Sequence, residues 1–387
     1  MDFLVLSHLR WNFVFQRPQQ LMTRCSKANR VFFWEEPIFD AESASLDLQQ
    51  LAPGLSVAVP HVPAGLPEDE VCRIQESLLA AFVDEQSLKH PVLWYYTPMA
   101  LGFSRGVEPG LVVYDCMDEL SAFRGAPPGL RALEAELFSK ADLVFTGGQT
   151  LYQSKRLLHS SVHCFPSSID REFFATARRI KADPDDQAAI ARPRLGYCGV
   201  IDERMDIELI GALAEARPDW QLVMVGPVVK ISDSELPHRD NIHYLGSKQY
   251  RSLPAYMAGW DVGLLPFARN ESTRFISPTK TPEYLAAGLA VVSTSITDVV
   301  RPYGSEGLVQ VADGCDEFVA CAERAIATRH SAERLHAVDA FLAHNSWDQT
   351  WSRMFGLIEG ARSRGSKAPS SSINATSSAL GSGAAAD

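Results

Sequence analysis

Short apolar runs alternate along this chain with longer stretches in which apolar side chains recur every three or four positions. The first kind reads as buried strands and the second as amphipathic helices. Apolar runs at residues 2–7, 30–38, 55–62, 91–97, 111–114 and 141–146 fill the first half. A second series follows at 194–201, 220–225, 241–245, 261–267, 289–294 and 307–311. Helical spacing marks 68–88, with Val71, Ile74, Leu78, Leu79 and Phe82 on one face, and 129–141, with Leu130, Leu133, Leu137 and Phe138. Further helices are predicted at 207–216, 253–257, 315–328, 331–344 and 346–358. Strands alternating with helices predict an α/β fold built on doubly wound parallel sheets.

Composition changes this picture in a few places. The 387 residues, 46% hydrophobic and 21% charged, are enough for two cores. A net charge of −11 argues against a nucleic acid as the main partner. No run reaches the roughly 18 apolar residues of a membrane span, and no basic stretch precedes Phe3-Leu4-Val5-Leu6. The seven cysteines form no Cys-x-x-Cys pair and lie mostly in apolar runs, so reduced thiols in a cytoplasmic protein and no zinc site are expected. The Ser/Ala/Gly-rich residues 360–387 cannot bury a core and are predicted to be disordered.

The stretch with the most chemistry is Ser277-Pro278-Thr279-Lys280-Thr281-Pro282-Glu283, which leads through an Ala-rich helix to Gly288 and a buried strand. Ser277 with Pro278 is one helix start and Thr281 with Pro282 another, and Gly288 is the stop. A helix N-terminus with Lys280 beside it suits a phosphate, and Glu283 lies one turn on, placed for sugar or ribose hydroxyls. A plain surface helix has the same spacing. The polar loop before it, residues 268–276, offers Asn270 and Thr273 as hydroxyl or phosphate ligands. No Gly-x-Gly-x-x-Gly follows the first strand, which disfavours a dinucleotide-binding domain. The strand at 111–114 delivers Asp115, Asp118 and Glu119 at its carboxyl end. Asp115 also reads as a strand end and Asp118 as a helix cap.

The Ser277–Gly288 stretch, with Leu289-Ala290-Val291-Val292 after it, resembles the donor-nucleotide segment of retaining GT-B glycosyltransferases related to family 4. Pro166, Ile169, Asp170 and Phe174 resemble the segment that closes the first domain in that family, with Ser167 and Ser168 in place of Asn and Gly. The resemblance implies a GT-B architecture of two Rossmann-like domains facing across a cleft. Residues 1–175 would bind the acceptor, 176–193 link, and 194–345 bind the nucleotide-sugar, with a closing helix at 346–359 packing back on the first domain.

By the same resemblance the chain is a hexosyl-type transferase of the 2.4 class. It would move a sugar from a uridine-linked donor to a glycan or lipid-linked acceptor in surface polysaccharide synthesis, with retention and with no cofactor or metal. Peripheral association with the inner face of the cell membrane would suit such an acceptor. Gly199 and Arg204 fall where the family clamps the diphosphate, Tyr244 and Gly246 where it meets the base, and Ser277, Thr279, Lys280 and Glu283 complete the donor side. Trp11, Phe13 and Arg17 fall where the acceptor approaches, although these rings also read as interdomain packing. Asp115 and Asp118 are the candidates for positioning the acceptor hydroxyl or stabilising charge at the sugar carbon. Two departures stand out. The family's first glutamate, eight positions before Glu283, is Phe275 here, and no histidine lies near Asp115. A sugar-nucleotide epimerase and a catalytically idle GT-B subunit of a polysaccharide assembly complex are the competing readings.

Overall fold

In the computed structural model, which describes residues 1–365, the apolar runs of the first half form one sheet. Its strands are β1 (Asp2–Leu6), β2 (Arg30–Trp34), β3 (Ser45–Ala52), β4 (Leu55–His61), β5 (Val92–Tyr95), β6 (Leu111–Cys116), β7 (Leu143–Thr146) and β8 (Val162–Cys164). They run in the order β3-β4-β2-β1-β5-β6-β7-β8, all parallel except β3, which pairs antiparallel with β4. The second sheet holds β9 (Arg194–Cys198), β10 (Gln221–Val225), β11 (Ile242–Gly246), β12 (Val262–Leu265), β13 (Ala290–Ser293) and β14 (Val309–Val311). Its order is β11-β10-β9-β12-β13-β14, parallel throughout. In both sheets the strand order reverses beside an interior first strand, and ligands bind at the carboxyl ends of strands at such a reversal.

The period of two along each strand sorts its side chains onto two faces. Phe3, Val5, Val31 and Phe33 enter one apolar layer of the first sheet. Leu4, Leu6, Phe32 and Trp34 enter the other. The hairpin strand β3 is absent from the apolar pattern because it is a mostly exposed edge strand, bonded on one side only. Its Leu48 and Leu51 remain exposed, so it lacks the continuous apolar run of a buried strand.

The chain passes from the first core to the second between Phe165, buried in the first, and Ile169, buried in the second with Phe174 and Ala177. Residues 169–175, placed with the first domain on sequence, therefore pack with the second. The last helix, Trp347–Gly365, returns to the first sheet. Trp347, Met354 and Ile358 enter that core, and Asp348 accepts a 2.8 Å hydrogen bond from Arg24. This helix overruns the expected start of the tail at 360, and residues 366–387 lie outside the described residues. Among the described residues no helix is long and apolar enough to cross a membrane. None of their His, Cys, Asp and Glu side chains gather in groups of three able to hold a metal ion. The seven cysteines are free thiols, and Cys25, Cys116, Cys198 and Cys321 are buried.

Candidate functional site

The central helix runs Lys280–Ala287, between the two starts that the sequence allows, and Gly288 ends it at φ +92°. That left-handed conformation is costly for any residue with a Cβ, so glycine is the natural stop. Thr279 precedes the helix with no side-chain cap, and Pro282 occupies the first turn without an N–H to offer. The uncapped end faces a cleft of about 140 Å³ between the two sheets, lined by Ser277, Thr279 and Lys280. The opposite wall carries Asp118 and Gly147, and Gly199 and Arg204 come in from the loop after β9.

Lys280 Nζ meets Glu283 Oε2 at 2.5 Å, and these side chains are 14% and 9% exposed. Burial raises the Glu283 carboxyl above the ordinary carboxylate range in spite of Lys280. Arg204 holds Asp202 through Nε at 2.9 Å and Nη2 at 2.6 Å, with about a quarter of its side chain still exposed. Its guanidinium also lies 5.5 Å from the centre of the Phe123 ring of the first domain. Burial pushes the Asp118 carboxyl up to about 6, against the pull of Arg204 and Arg17. Ser277, Thr279, Lys280, Gly199, Arg204 and Asp118 are thus brought together, with Glu283 directly behind Lys280.

Other candidates do not reach the cleft or are not free within it, each for a physical reason. Arg17 lines the cleft but does not await an anionic acceptor, because its Nε and Nη2 grip Asp115 at 2.8–3.1 Å and its Nη1 donates to the Phe165 carbonyl at 2.7 Å. Asp115 is fully buried in that pair and has no open face for chemistry. Trp11 packs edge-on against Phe33 and its backbone N–H donates to Glu35, and Phe13 points outward, 52% exposed. The cleft aromatic from this loop is instead Phe15. Thr273 is buried and staples its own loop through Asn270 N and the Ala268 carbonyl. Asn270 caps the same turn, accepting from Ser272 and Thr273. The Tyr244 hydroxyl donates to the Pro237 carbonyl, and Gly246, at φ +69°, ends β11 with its carbonyl bonded to Gly226 N. Neither lines the cleft.

Three ties between the domains escaped the sequence pattern. Tyr250 stacks on Phe173 of the crossover, lies 4.5 Å from Phe15 by ring centres and accepts from Gln20. Phe275, where the resembled family has its first glutamate, packs against the core of the first domain, so an interdomain contact occupies that position. Asp298, 5% exposed, reaches from the second domain to the start of helix Gln149–Lys155 in the first. It accepts from Gln149 N at 2.8 Å, Thr150 N at 2.9 Å and the Thr150 hydroxyl. A Cβ on Gly148 would strike this carboxylate and Ser277, which explains the glycine there. Asp298→Ala leaves two amides unpaired and is expected to cost the closed arrangement about 1–3 kcal/mol. The variant should show a larger radius of gyration in small-angle scattering, and unchanged scattering would refute the latch.

With the geometry in place, comparison with known proteins is informative. Residues 192–328 match the family described as Glycosyl transferases group 1. A Bacillus subtilis (strain 168) protein, TuaH, named as a teichuronic acid biosynthesis glycosyltransferase, is 26% identical over 257 residues, which is 60% of this chain. The match spans 63% of that relative, less than two thirds of its length. Among solved structures, a Thermosynechococcus elongatus sucrose-phosphate synthase superposes with a TM-score of 0.72 at 13% identity, covering 94% of this chain and 99% of that one. An E. coli trehalose-6-phosphate protein bound with UDP-2-fluoro glucose gives 0.69 at 13% identity, with the same coverage. Anabaena HepE in complex with UDP and glucose gives 0.64 at 15% identity, covering 92% and 99%. Residues 192–328 are thus similar in sequence to the group 1 glycosyl transferases, and the chain shares the GT-B fold of these solved structures over about 94% of its length.

Proposed function

We propose that this protein is a glycosyltransferase that takes a sugar from a uridine-diphosphate donor and passes it to a glycan or lipid-linked acceptor in surface polysaccharide synthesis. One observation carries the reading. The uncapped N-terminus of helix Lys280–Ala287, with Lys280 at its first position, opens into a cleft that Arg204 also lines, while Arg17, the third cation there, is held by Asp115. Helix N–H groups and two cations converge there on the volume of a diphosphate. The nucleotide is read as uridine because solved structures of the same fold hold UDP or UDP-2-fluoro glucose. The polysaccharide role draws on TuaH.

In this reading Lys280, Arg204 and the helix end offset the charge of the departing diphosphate, so transfer proceeds without a metal ion. Glu283 accepts from hydroxyls of the donor sugar beside Lys280. Asp118, across the cleft, is the carboxylate that faces charge developing at the sugar carbon. Retention of configuration rests on the resemblance to family 4. The phosphate-binding helix end distinguishes this reading from an idle subunit, since an idle subunit does not need the paired Lys280 and Glu283.

Calorimetric titration with UDP-glucose, without metal, tests the reading. Its diphosphate is a diester and does not titrate between pH 5 and 8, which leaves Asp118 as the reporter. Asp118 is neutral below about 6 and charged above it. Ionisation adds a negative charge to the cleft, so affinity is expected to fall several-fold as pH rises through that value, and to stay flat in Asp118→Asn. Absence of binding at every pH would sink the proposal.

A further inference from the structure

One outer edge of the first sheet is the eight-residue strand β3, which among the described residues bonds to β4 alone. The register shows which of its backbone groups are free. Ala58 and Pro60 of β4 give their carbonyls to Glu35 and Ile38 on the β2 side. Backbone direction alternates along a strand, so Val57 and Val59 turn their polar groups toward β3, where they face Gln49 and Asp47. The N–H and C=O groups of Leu46, Leu48 and Gln50 therefore point outward from the sheet. The register runs unbroken from Ser45, opposite His61, to Gln50, opposite Ser56, and a bulge follows.

An open row of this kind is a template for another strand, and proteins commonly blunt it with Lys, Pro or a covering segment. Residues 45–52 contain neither Lys nor Pro, and Asp47 is their one charge. Apolar side chains are left at the edge as well, with Leu48 40% exposed and Leu51 36%. Leu46 packs on the same apolar layer as Leu4 and Phe32. By the period of two, Leu48 and Gln50 share that face of the sheet, and Asp47 and Gln49 lie on the other.

This edge is complementary to itself. Two copies related by a two-fold axis perpendicular to the sheet pair antiparallel, and each residue meets one on its own face. Only an axis at Leu48 pairs all three outward residues within the regular run. Leu48 then meets its own copy, and Leu46 and Gln50 meet each other twice. Each pair exchanges two N–H···O bonds. Asp47 faces Gln49 of the second copy rather than another Asp47, so no like charges meet across the strands. The flanks agree in charge. Asp40 holds His61, opposite the start of the strand at Ser45, and Lys27 lines a surface hollow with Ala52, Pro53 and Gly54 at its end. Antiparallel pairing sets the acidic end of one copy beside the basic end of the other. We propose that β3 is the surface through which two copies of this chain associate, joining two eight-stranded sheets into a continuous one. None of residues 45–52 lines the cleft, so both copies keep it open. The interface is independent of the transferase reading.

Sedimentation velocity of the full chain over a concentration series tests the interface. The wild type is expected to pass from one to two chain masses as concentration rises. Leu48→Lys sets two ammonium groups at the axis and removes the Leu48 pair. It is expected to weaken association about tenfold at an unchanged melting temperature. Cross-linking under oxidised glutathione tests the register without relying on that variant. A mixture of Asp47→Cys protein with Gln49→Cys protein should give a disulfide-linked dimer. Either alone should cross-link no more than the wild type, which carries seven cysteines of its own. A wild type that stays monomeric at every concentration overturns the proposal and leaves the edge to a different protein. Dimers that Leu48→Lys does not weaken, or a mixture that cross-links no better than its components, overturn it as well.

Discussion

Asp115→Ala is expected to destabilise the protein by about 3–5 kcal/mol, the usual cost of stranding one charge of a buried pair. The side chains of Arg17 and Asp115 are 2% and 0% exposed, so water cannot take over for the lost carboxylate. The guanidinium joins three segments distant in sequence. Arg17 opens the helix that follows the cleft loop, Asp115 ends β6, and Phe165 begins the crossover to the second domain. Loosening this joint also displaces Phe15 and Gln16, which line the cleft, so substrate binding should weaken along with stability. In urea denaturation the transition of the first domain should move to lower concentration. The double variant Arg17→Met with Asp115→Ala strands no charge, and it should recover part of the loss. A single variant within about 1 kcal/mol of wild type, a cost typical of surface positions, would show that the pair is dispensable.

The same pair shows where reading the sequence stops. The parallel sheets were legible, because each buried strand is a continuous apolar run and each helix shows its own spacing. The phosphate-facing helix was legible too, from Gly288 and a cluster of polar residues ahead of it, although Thr279 rather than Ser277 or Thr281 precedes its first residue. Arg17 and Asp115 were both singled out, but as separate ligands. Their sequence separation of 98 hides a mutual contact that only the sheet order creates. Asp298 meets Thr150 across a separation of 148, and a lone aspartate after a strand carries no mark of a partner in the other domain. Phe275 appeared as a missing glutamate. Its role as an interdomain contact depends on domain closure, which local pattern does not encode.

Lys280→Ala is expected to weaken UDP binding by roughly 10- to 100-fold, since a charge-assisted hydrogen bond contributes about 1.5–3 kcal/mol. Part of that loss does not come from the missing ammonium. Glu283, 9% exposed at its side chain, would then keep a carboxylate buried with no cation beside it, facing the incoming diphosphate. Removing it as well, in Lys280→Ala with Glu283→Ala, lifts the repulsion, so the double variant should bind UDP more tightly than the single one. The two changes are then non-additive, as expected for residues in direct contact. Isothermal titration of the three proteins at one ionic strength decides the matter. A double variant weaker than Lys280→Ala would mean that Glu283 bonds the nucleotide itself, through ribose hydroxyls. Equal affinity of all three for UDP would remove the diphosphate from this helix end and, with it, the basis for a donor site in this cleft.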